Sequence, residues 1–318
     1  MAQPAIRARK TQLVTIEGRE LKLTNLEKVL YPEVGFTKAN VIVFYLRIAP
    51  VLLPHIQGRP TTLKRYPDGV DGEFFYEKYS PKYRPEWATT AEVWSEGNKR
   101  VMHYCQVDST PMLAWIANLA GLELHTSLAL AQRPDRPTAM VFDLDPGPGT
   151  DVVECCIVAL QLRELFTHLG LECCAKTSGS KGLQMYVPLS AHATFDATRE
   201  FSRTIALTME HAHPNLVVSR MAKALRNNKV LIDWSQNDEH KTTVCAYSLR
   251  AKSRPTVSTP VTWAEVEATA NSGKADELAF TSDEVLARVE RDGDLFAPLL
   301  TLKQRLPNLA AAVRAMGE

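Results

Sequence analysis

The chain has 318 residues, 45% of them apolar, and a formal net charge of +1. That length buries a full core, in one large domain or two tightly joined lobes. The near-neutral balance excludes a protein that grips polyanions through overall charge, so any nucleic-acid contact must rest on a local basic footprint. Six cysteines with no Cys-x-x-Cys pair read as buried free thiols of a reducing compartment, the cytoplasm, rather than a zinc clamp.

Met1 to Gln12 is short and basic, lacks an apolar signal core, and reads as a mobile tail. Leu23 to Tyr31 reads as a helical turn or loop. Thr37 to Leu53 is patterned as a helix, and Arg47 and Pro50 break its apolar run, leaving no stretch long enough for a bilayer. Thr61 to Arg65 and Val101 to Val107 read as strands, with Phe74 and Phe75 between them. Pro111 to Leu124 is patterned as a helix ending at His125.

Met140 to Pro146 reads as a buried strand closed by Asp143 and Asp145. Residues i and i+2 share a strand face, so the two carboxylates point the same way. Asp151 to Leu169 is helical. Leu169–Ala175 and Leu183–Leu189 read as strands joined by Ser178-Gly179-Ser180-Lys181-Gly182, a turn rich in N–H groups and hydroxyls that suits an anion. Its spacing is not that of a Walker A loop. Thr194 to His213 is helical, as is the basic stretch Ser219 to Lys229, which includes Arg226. Val230 to Trp234 is another buried strand and carries Asp233, followed by Gln236 and, further on, Arg250. Asp233 to Arg250 has strand character, and Arg254 to Pro260 is extended. Helices follow at Trp263–Ala270, Ser282–Arg291 and Pro298–Met316.

Two carboxylates on one face and a third from another strand make an oxygen-ligand set for hard divalent cations. Taken singly, each feature also has a plain alternative. Asp-Pro-Gly marks a turn, a Gly/Ser cluster is ordinary turn chemistry, and basic residues on a helix are often only solvated.

In this order, Phe-Asp143-Leu-Asp145-Pro, Ser178-Gly-Ser-Lys181-Gly and Val-Leu-Ile-Asp233-Trp-Ser-Gln-Asn resemble the polymerase domain of bacterial non-homologous end-joining ligases of the ligase D type, within the archaeo-eukaryotic primase superfamily. The resemblance runs from about Leu23 to Asp294 and takes in Gly72-Glu-Phe-Phe75, Leu122-Glu-Leu-His125 and Tyr247-Ser-Leu-Arg250. It implies an α/β fold, with an RNA-recognition-type catalytic sheet packed on an N-terminal α/β lobe and the nucleotide between them. It places a mobile tail at residues 1–12, the catalytic domain at 13–300 and a C-terminal helix at 301–318. Asp143, Asp145 and Asp233 would hold two manganese or magnesium ions. Ser178, Lys181, Arg226 and Arg250 would hold nucleotide phosphates, with Gln184 and Gln236 beside them. His125 would lie near the sugar, Phe74 and Phe75 against base or template, and Lys64 and Arg65 near DNA or nucleotide. Lys28 and Lys38 would grip a DNA 5′-phosphate, with the Leu23–Tyr31 segment nearby.

The implied function is template-directed nucleotidyl transfer that fills or extends ends and gaps in double-strand break repair, preferring ribonucleotides. The implied partners are nucleoside triphosphates, gapped DNA with a 5′-phosphate, Ku and a DNA ligase, with no membrane and a nucleoid-associated location. One departure stands out. The family pattern carries a histidine where this chain has Gln184, and an amide bears neither charge nor a transferable proton. That leaves a second reading, a DNA-end-binding module with weak or no polymerase activity. A third, a nuclease, fits the metal set but not the phosphate-directed cations around Asp233.

Overall fold

The computed structural model describes residues 11–95 and 99–308. The first lobe opens with a hairpin of β1 (Thr11–Ile16) and β2 (Arg19–Thr24). Glu17 and Gly18 both take positive φ at its turn, as a tight two-residue connection requires. Gln12 therefore lies in a strand and not in a tail; residues 1–10 fall outside the described residues. Val29–Tyr31 (β3) and Phe36–Thr37 (β4) pair antiparallel, so the helical turn or loop expected over Leu23–Tyr31 is confined to a turn at residues 25–28, between β2 and β3. Leu21, Leu23 and Leu30 drop into the core.

Helix α1 (Lys38–Ile56) starts at a capping box formed by Thr37 and Asn40. By length and composition alone it could cross a membrane, contrary to the sequence expectation. Here Val41, Phe44, Tyr45, Ile48, Leu52 and Ile56 pack into the lobe core. Strands β5 (Pro60–Arg65), β6 (Phe75–Glu77), β7 (Thr90–Ser95) and β8 (Arg100–Gln106) follow, then α2 (Thr110–Asn118) and β9 (Gly121–Thr126). The single helix expected over Pro111–Leu124 is thus a helix and a strand. Ala120, at φ 57, breaks the chain between them, and a side chain on Gly121 would collide with Ile116. His125 consequently sits on a strand.

The second lobe is built around β10 (Ala139–Pro146), followed by α3 (Val152–His168), β11 (Cys174–Thr177), β12 (Leu183–Pro188), α4 (Phe195–Ala212), β13 (Val217–Val218) and β14 (Val230–Asp233). After it come β15 (Thr243–Val244), β16 (Pro260–Val261), α5 (Trp263–Ser272), α6 (Ser282–Asp292) and α7 (Pro298–Thr301). Its six-stranded sheet runs β13-β14-β10-β12-β11-β16. The first lobe's sheet runs β15-β9-β5-β8-β7, with β6 on β5. Strand β15 arrives late in sequence yet pairs with β9, which ties the lobes together.

On β10, Met140, Phe142 and Leu144 enter the core under α3, whereas Val141 joins the core of the first lobe. Strand alternation therefore turns Asp143 and Asp145 toward the interlobe cleft. Four expectations fail. Of the strand expected over Leu169–Ala175 only Cys174 and Ala175 are strand, in β11. Ser219–Lys229 is not a helix; it holds one 3-10 turn at Lys223–Leu225, and Asn228, at φ 54, bends it back onto Pro148. Asp233–Arg250 is mostly irregular, with a 3-10 turn at Trp234–Gln236 and the short β15. Pro298–Met316 is helical only to Thr301; residues 302–308 lack regular structure, pinned where Gln304 bonds Glu172 and Ser190, and the remainder lies outside the described residues. All six cysteines are free.

Candidate active site

A cleft of about 620 Å³ lies between the lobes. Asp143, Asp145, Ser178, Lys181, Gln184, Arg226, Gln236, Arg250 and His125 line it, so most residues singled out from the sequence meet in one place.

Asp143 pairs directly with Asp233 across β10 and β14. Burial first, then the charge of Asp145 and that of Asp233, push the Asp143 carboxyl up to about 7. Burial and Asp233 also raise Asp145, against the nearby Arg226 and Arg250. Among the described residues neither has an ion-pair partner. Two half-buried, like-charged carboxylates facing an open cleft suit a hard divalent cation, which relieves both desolvation and repulsion. Asp233 is committed differently. Its Oδ1 accepts from the Ser235 N–H (2.9 Å) and hydroxyl (2.6 Å), and its Oδ2 from Gln236 Nε2 (2.8 Å). Among the described residues no three ligating side chains already stand as a closed metal site. Asp143 and Asp145 thus fit a metal as placed, and Asp233 fits once it releases Gln236.

Gln184 lies opposite Asp143 on β12, and Lys176 lies opposite Gln184 on β11. The buried Lys176 donates from Nζ to Gln184 Oε1 and to Ser258 Oγ, each at 2.6 Å. The Tyr186 hydroxyl also donates to Gln184 Oε1, at 3.3 Å. With its oxygen so occupied, the amide turns its NH2 toward Asp143, and this hydrogen bond opposes the rise of the Asp143 pKa. Burial pushes the Lys176 ammonium down to about 7. Gln184 therefore fills the position expected to carry a charged phosphate donor and supports a carboxylate instead.

Ser178 Oγ accepts from the N–H groups of Ser180 (3.2 Å) and Gly182 (3.1 Å), closing the loop and leaving its hydroxyl hydrogen for a ligand. Gly182 is required here, because a Cβ would lie 2.2 Å from Leu144 O. Arg250 donates to Ser178 O and stands 3.4 Å from Glu123. Arg226 is anchored by donating to Met221 O at 2.6 Å.

The opposite wall belongs to the first lobe. Lys64 pairs with Glu123 across β5 and β9, and its ammonium sits 4.0 Å from the Phe74 ring centroid. Phe75 turns to the other face, over Arg65. Phe74, Phe75, Lys64 and Asp233 border the site without lining the cleft; Tyr76 lines it, with its ring edge-on to His125. Lys28 and Lys38 meet away from the cleft, where the Lys38 N–H donates to Lys28 O at 2.8 Å. Lys28 is half-exposed and pairs with Asp68, while Lys38 is buried at the start of α1.

Sequence reading missed Lys176, Glu123 and Tyr76. Tyr76 carried a signal, since it stands two residues from Phe74 on an alternating strand. Lys176 and Glu123 carried none beyond their polarity within apolar runs.

A family model described as the LigD primase-polymerase domain matches residues 37–296. The multifunctional non-homologous end joining protein LigD of Mycolicibacterium smegmatis is 42% identical over 281 residues, covering 88% of this chain and 36% of that protein. The bifunctional LigD of Bacillus subtilis is 31% identical over 275 residues, 86% of this chain and 43% of that one. The chain thus spans less than half the length of these relatives. The polymerase domain of Mycobacterium tuberculosis Ligase D, solved in complex with DNA, superposes with a TM-score of 0.81 at 39% identity, covering 89% of this chain and 99% of that one. The mixed α/β architecture agrees with the archaeo-eukaryotic primase fold. The chain belongs to the family of LigD primase-polymerase domains, a nucleotidyltransferase domain.

Proposed function

We propose that the chain extends and fills DNA ends and gaps in double-strand break repair by templated nucleotidyl transfer, with a preference for ribonucleotides. The observation that carries this reading is one cleft in which Asp143 and Asp145 face Ser178, Lys181, Arg226 and Arg250. Carboxylates beside phosphate-directed donors suit a bound triphosphate better than a hydrolytic water. Arg226 and Arg250 offer forked N–H groups, Lys181 a point charge, and Ser178 one hydrogen. Exposed rings at Phe74 and Tyr76 offer faces for a base, each worth about 1–3 kcal/mol. Two divalent cations, manganese in preference to magnesium, would be held by Asp143, Asp145 and a reoriented Asp233; such ions activate a primer 3′-hydroxyl and neutralise the leaving pyrophosphate. Lys28 and Lys38 would receive the 5′-phosphate on the far side of a gap. The names of the relatives support a role in non-homologous end joining. Its place would be the bacterial cytoplasm, at the nucleoid, beside Ku and a ligase. DNA bound to the mycobacterial domain supports DNA as substrate.

A second reading, an end-binding module without polymerase activity, is favoured by one feature: Gln184 gives its NH2 to Asp143 rather than to a phosphate. Single-nucleotide extension on gapped, 5′-phosphorylated DNA separates the two. Extension that follows the template base and disappears in Asp143→Ala/Asp145→Ala supports the polymerase. Phosphate-dependent DNA binding without extension supports the module.

A further inference from the structure

Glu123 is a buried carboxylate on the first-lobe wall, and no metal or phosphate role explains it. It is 2% exposed and faces four partners. Its Oε1 accepts from the Ala251 N–H at 3.1 Å and lies 3.9 Å from Lys64. Its Oε2 lies 2.9 Å from His125 Nε2 and 3.4 Å from Arg250 Nε. A carboxylate oxygen can only accept, so His125 Nε2 carries the proton. Burial is the largest influence on the ring and lowers its pKa, so the neutral form holds at pH 7. In a neutral imidazole with a proton on Nε2, Nδ1 is a pure acceptor. Among the described residues Nδ1 has no protein partner, and the ring lines the cleft. Across the strand pair stands Thr62, whose buried hydroxyl also lines the cleft without a partner.

The phosphate-directed Ser178, Lys181 and Arg226 belong to the Asp143 wall of the cleft, Arg250 joins Ser178 to Glu123, and Tyr76 meets His125 edge to face on the opposite wall. A nucleotide with its phosphates against the first group and its base on the rings sets its sugar at His125. Phosphates and the sugar ring oxygen offer no hydrogen, whereas sugar hydroxyls do, and a ribonucleotide carries one more than a deoxyribonucleotide. We infer that Glu123 is a positioning residue for sugar choice: it fixes the His125 tautomer so that Nδ1 accepts from a ribose hydroxyl. This rests on the nucleotidyltransferase reading and adds to it the group that sets the acceptor.

Glu123→Gln is a sharp perturbation. The amide oxygen must stay on the Ala251 N–H, because an NH2 there would face another donor. The NH2 then replaces Oε2 beside His125, Nε2 must accept, and the proton moves to Nδ1. The cleft acceptor becomes a donor. Selective histidine ¹⁵N labelling reads the tautomer directly, with His125→Asn to assign the signal. The wild type is expected to show Nε2–H and Glu123→Gln to show Nδ1–H. The ratio of ATP to dATP affinity, measured by titration calorimetry, is expected to fall about tenfold in Glu123→Gln. A weakened grip by Lys64 and Arg250 lowers both affinities together and leaves the ratio alone. If the variant does not fold, the wild-type tautomer still decides: a wild-type His125 protonated on Nδ1, or on both nitrogens, overturns the inference. So does a ratio that the substitution leaves unchanged. Binding of neither nucleotide by the wild type sinks the nucleotidyltransferase reading itself, and this inference with it.

Discussion

Asp143→Asn is expected to remove activity and at the same time to stabilise the metal-free protein. Asparagine has nearly the same shape, can still accept from Gln184, and carries no charge beside Asp145 and Asp233. The Asp143 carboxyl rises from 3.8 to about 7 on folding, through burial and then its two like-charged neighbours. That is about three units at 1.36 kcal/mol each, roughly 4 kcal/mol of destabilisation at high pH. The Gln184 hydrogen bond is already included in that value, so the gain for Asp143→Asn is about 4 kcal/mol. At this chain length that is a rise in Tm of about 6 °C.

The sign follows from linkage. Between 3.8 and about 7 the folded form holds a proton that the unfolded form has lost, so wild-type stability falls as pH rises through that window. The variant's advantage should be absent below pH 4 and complete above about pH 7. Thermal scans in EDTA at pH 4, 6 and 8 measure it. Added manganese should then raise the wild-type Tm more than the variant's, since a cation that binds only the folded form stabilises it by mass action. Lower stability of Asp143→Asn at pH 8 in EDTA, or an advantage equal at all three pH values, would refute the electrostatic account of the site.

Three other outcomes are expected. Glu123 is held at about 2; burial opposes this, but the His125 hydrogen bond, Arg250 and the Ala251 N–H outweigh it. Its contribution is present above 4.5 and lost as pH falls toward 2, so 2.5 units, about 3 kcal/mol, should separate wild type from Glu123→Gln above pH 4.5 and vanish near pH 2 in thermal scans. Gln184→Leu leaves Lys176 with Ser258 alone and strips Asp143 of its donor, so urea unfolding should show a loss of about 2 kcal/mol. Lys28→Ala should lower the preference for 5′-phosphorylated over unphosphorylated gapped DNA about tenfold in fluorescence anisotropy, and raising the salt should shrink that preference in the wild type.

The parts of the site that follow period-two alternation were legible in the sequence. Asp143 and Asp145 share a face because Leu144 takes the other, and the Ser178–Gly182 turn announces itself through its glycines. Register was not legible. Nothing local shows that Gln184 stands opposite Asp143, or that Lys176 stands behind Gln184, because those pairings join separate strands. The same holds for Glu123 beneath Lys64 and Arg250. Among the elements, α3 read correctly because its apolar spacing and its Asp151–Glu154 capping box agree. The run from Pro111 to Leu124 misread because a buried helix and a buried strand are both continuously apolar, and only the positive φ at Ala120 divides them. Ser219–Lys229 misread because good helix formers there are overruled by packing against the β10–α3 turn, where Arg226 O and Lys229 O crowd Gly147.

The central claim is that Asp143 and Asp145 support nucleotidyl transfer in the cleft. Its most direct test counts pyrophosphate released against nucleotides added to a primer on gapped, 5′-phosphorylated DNA with manganese. The account predicts one pyrophosphate per templated addition, and neither product from Asp143→Asn or Asp145→Asn. Primer shortening, pyrophosphate without elongation, or elongation that persists in both variants would contradict it.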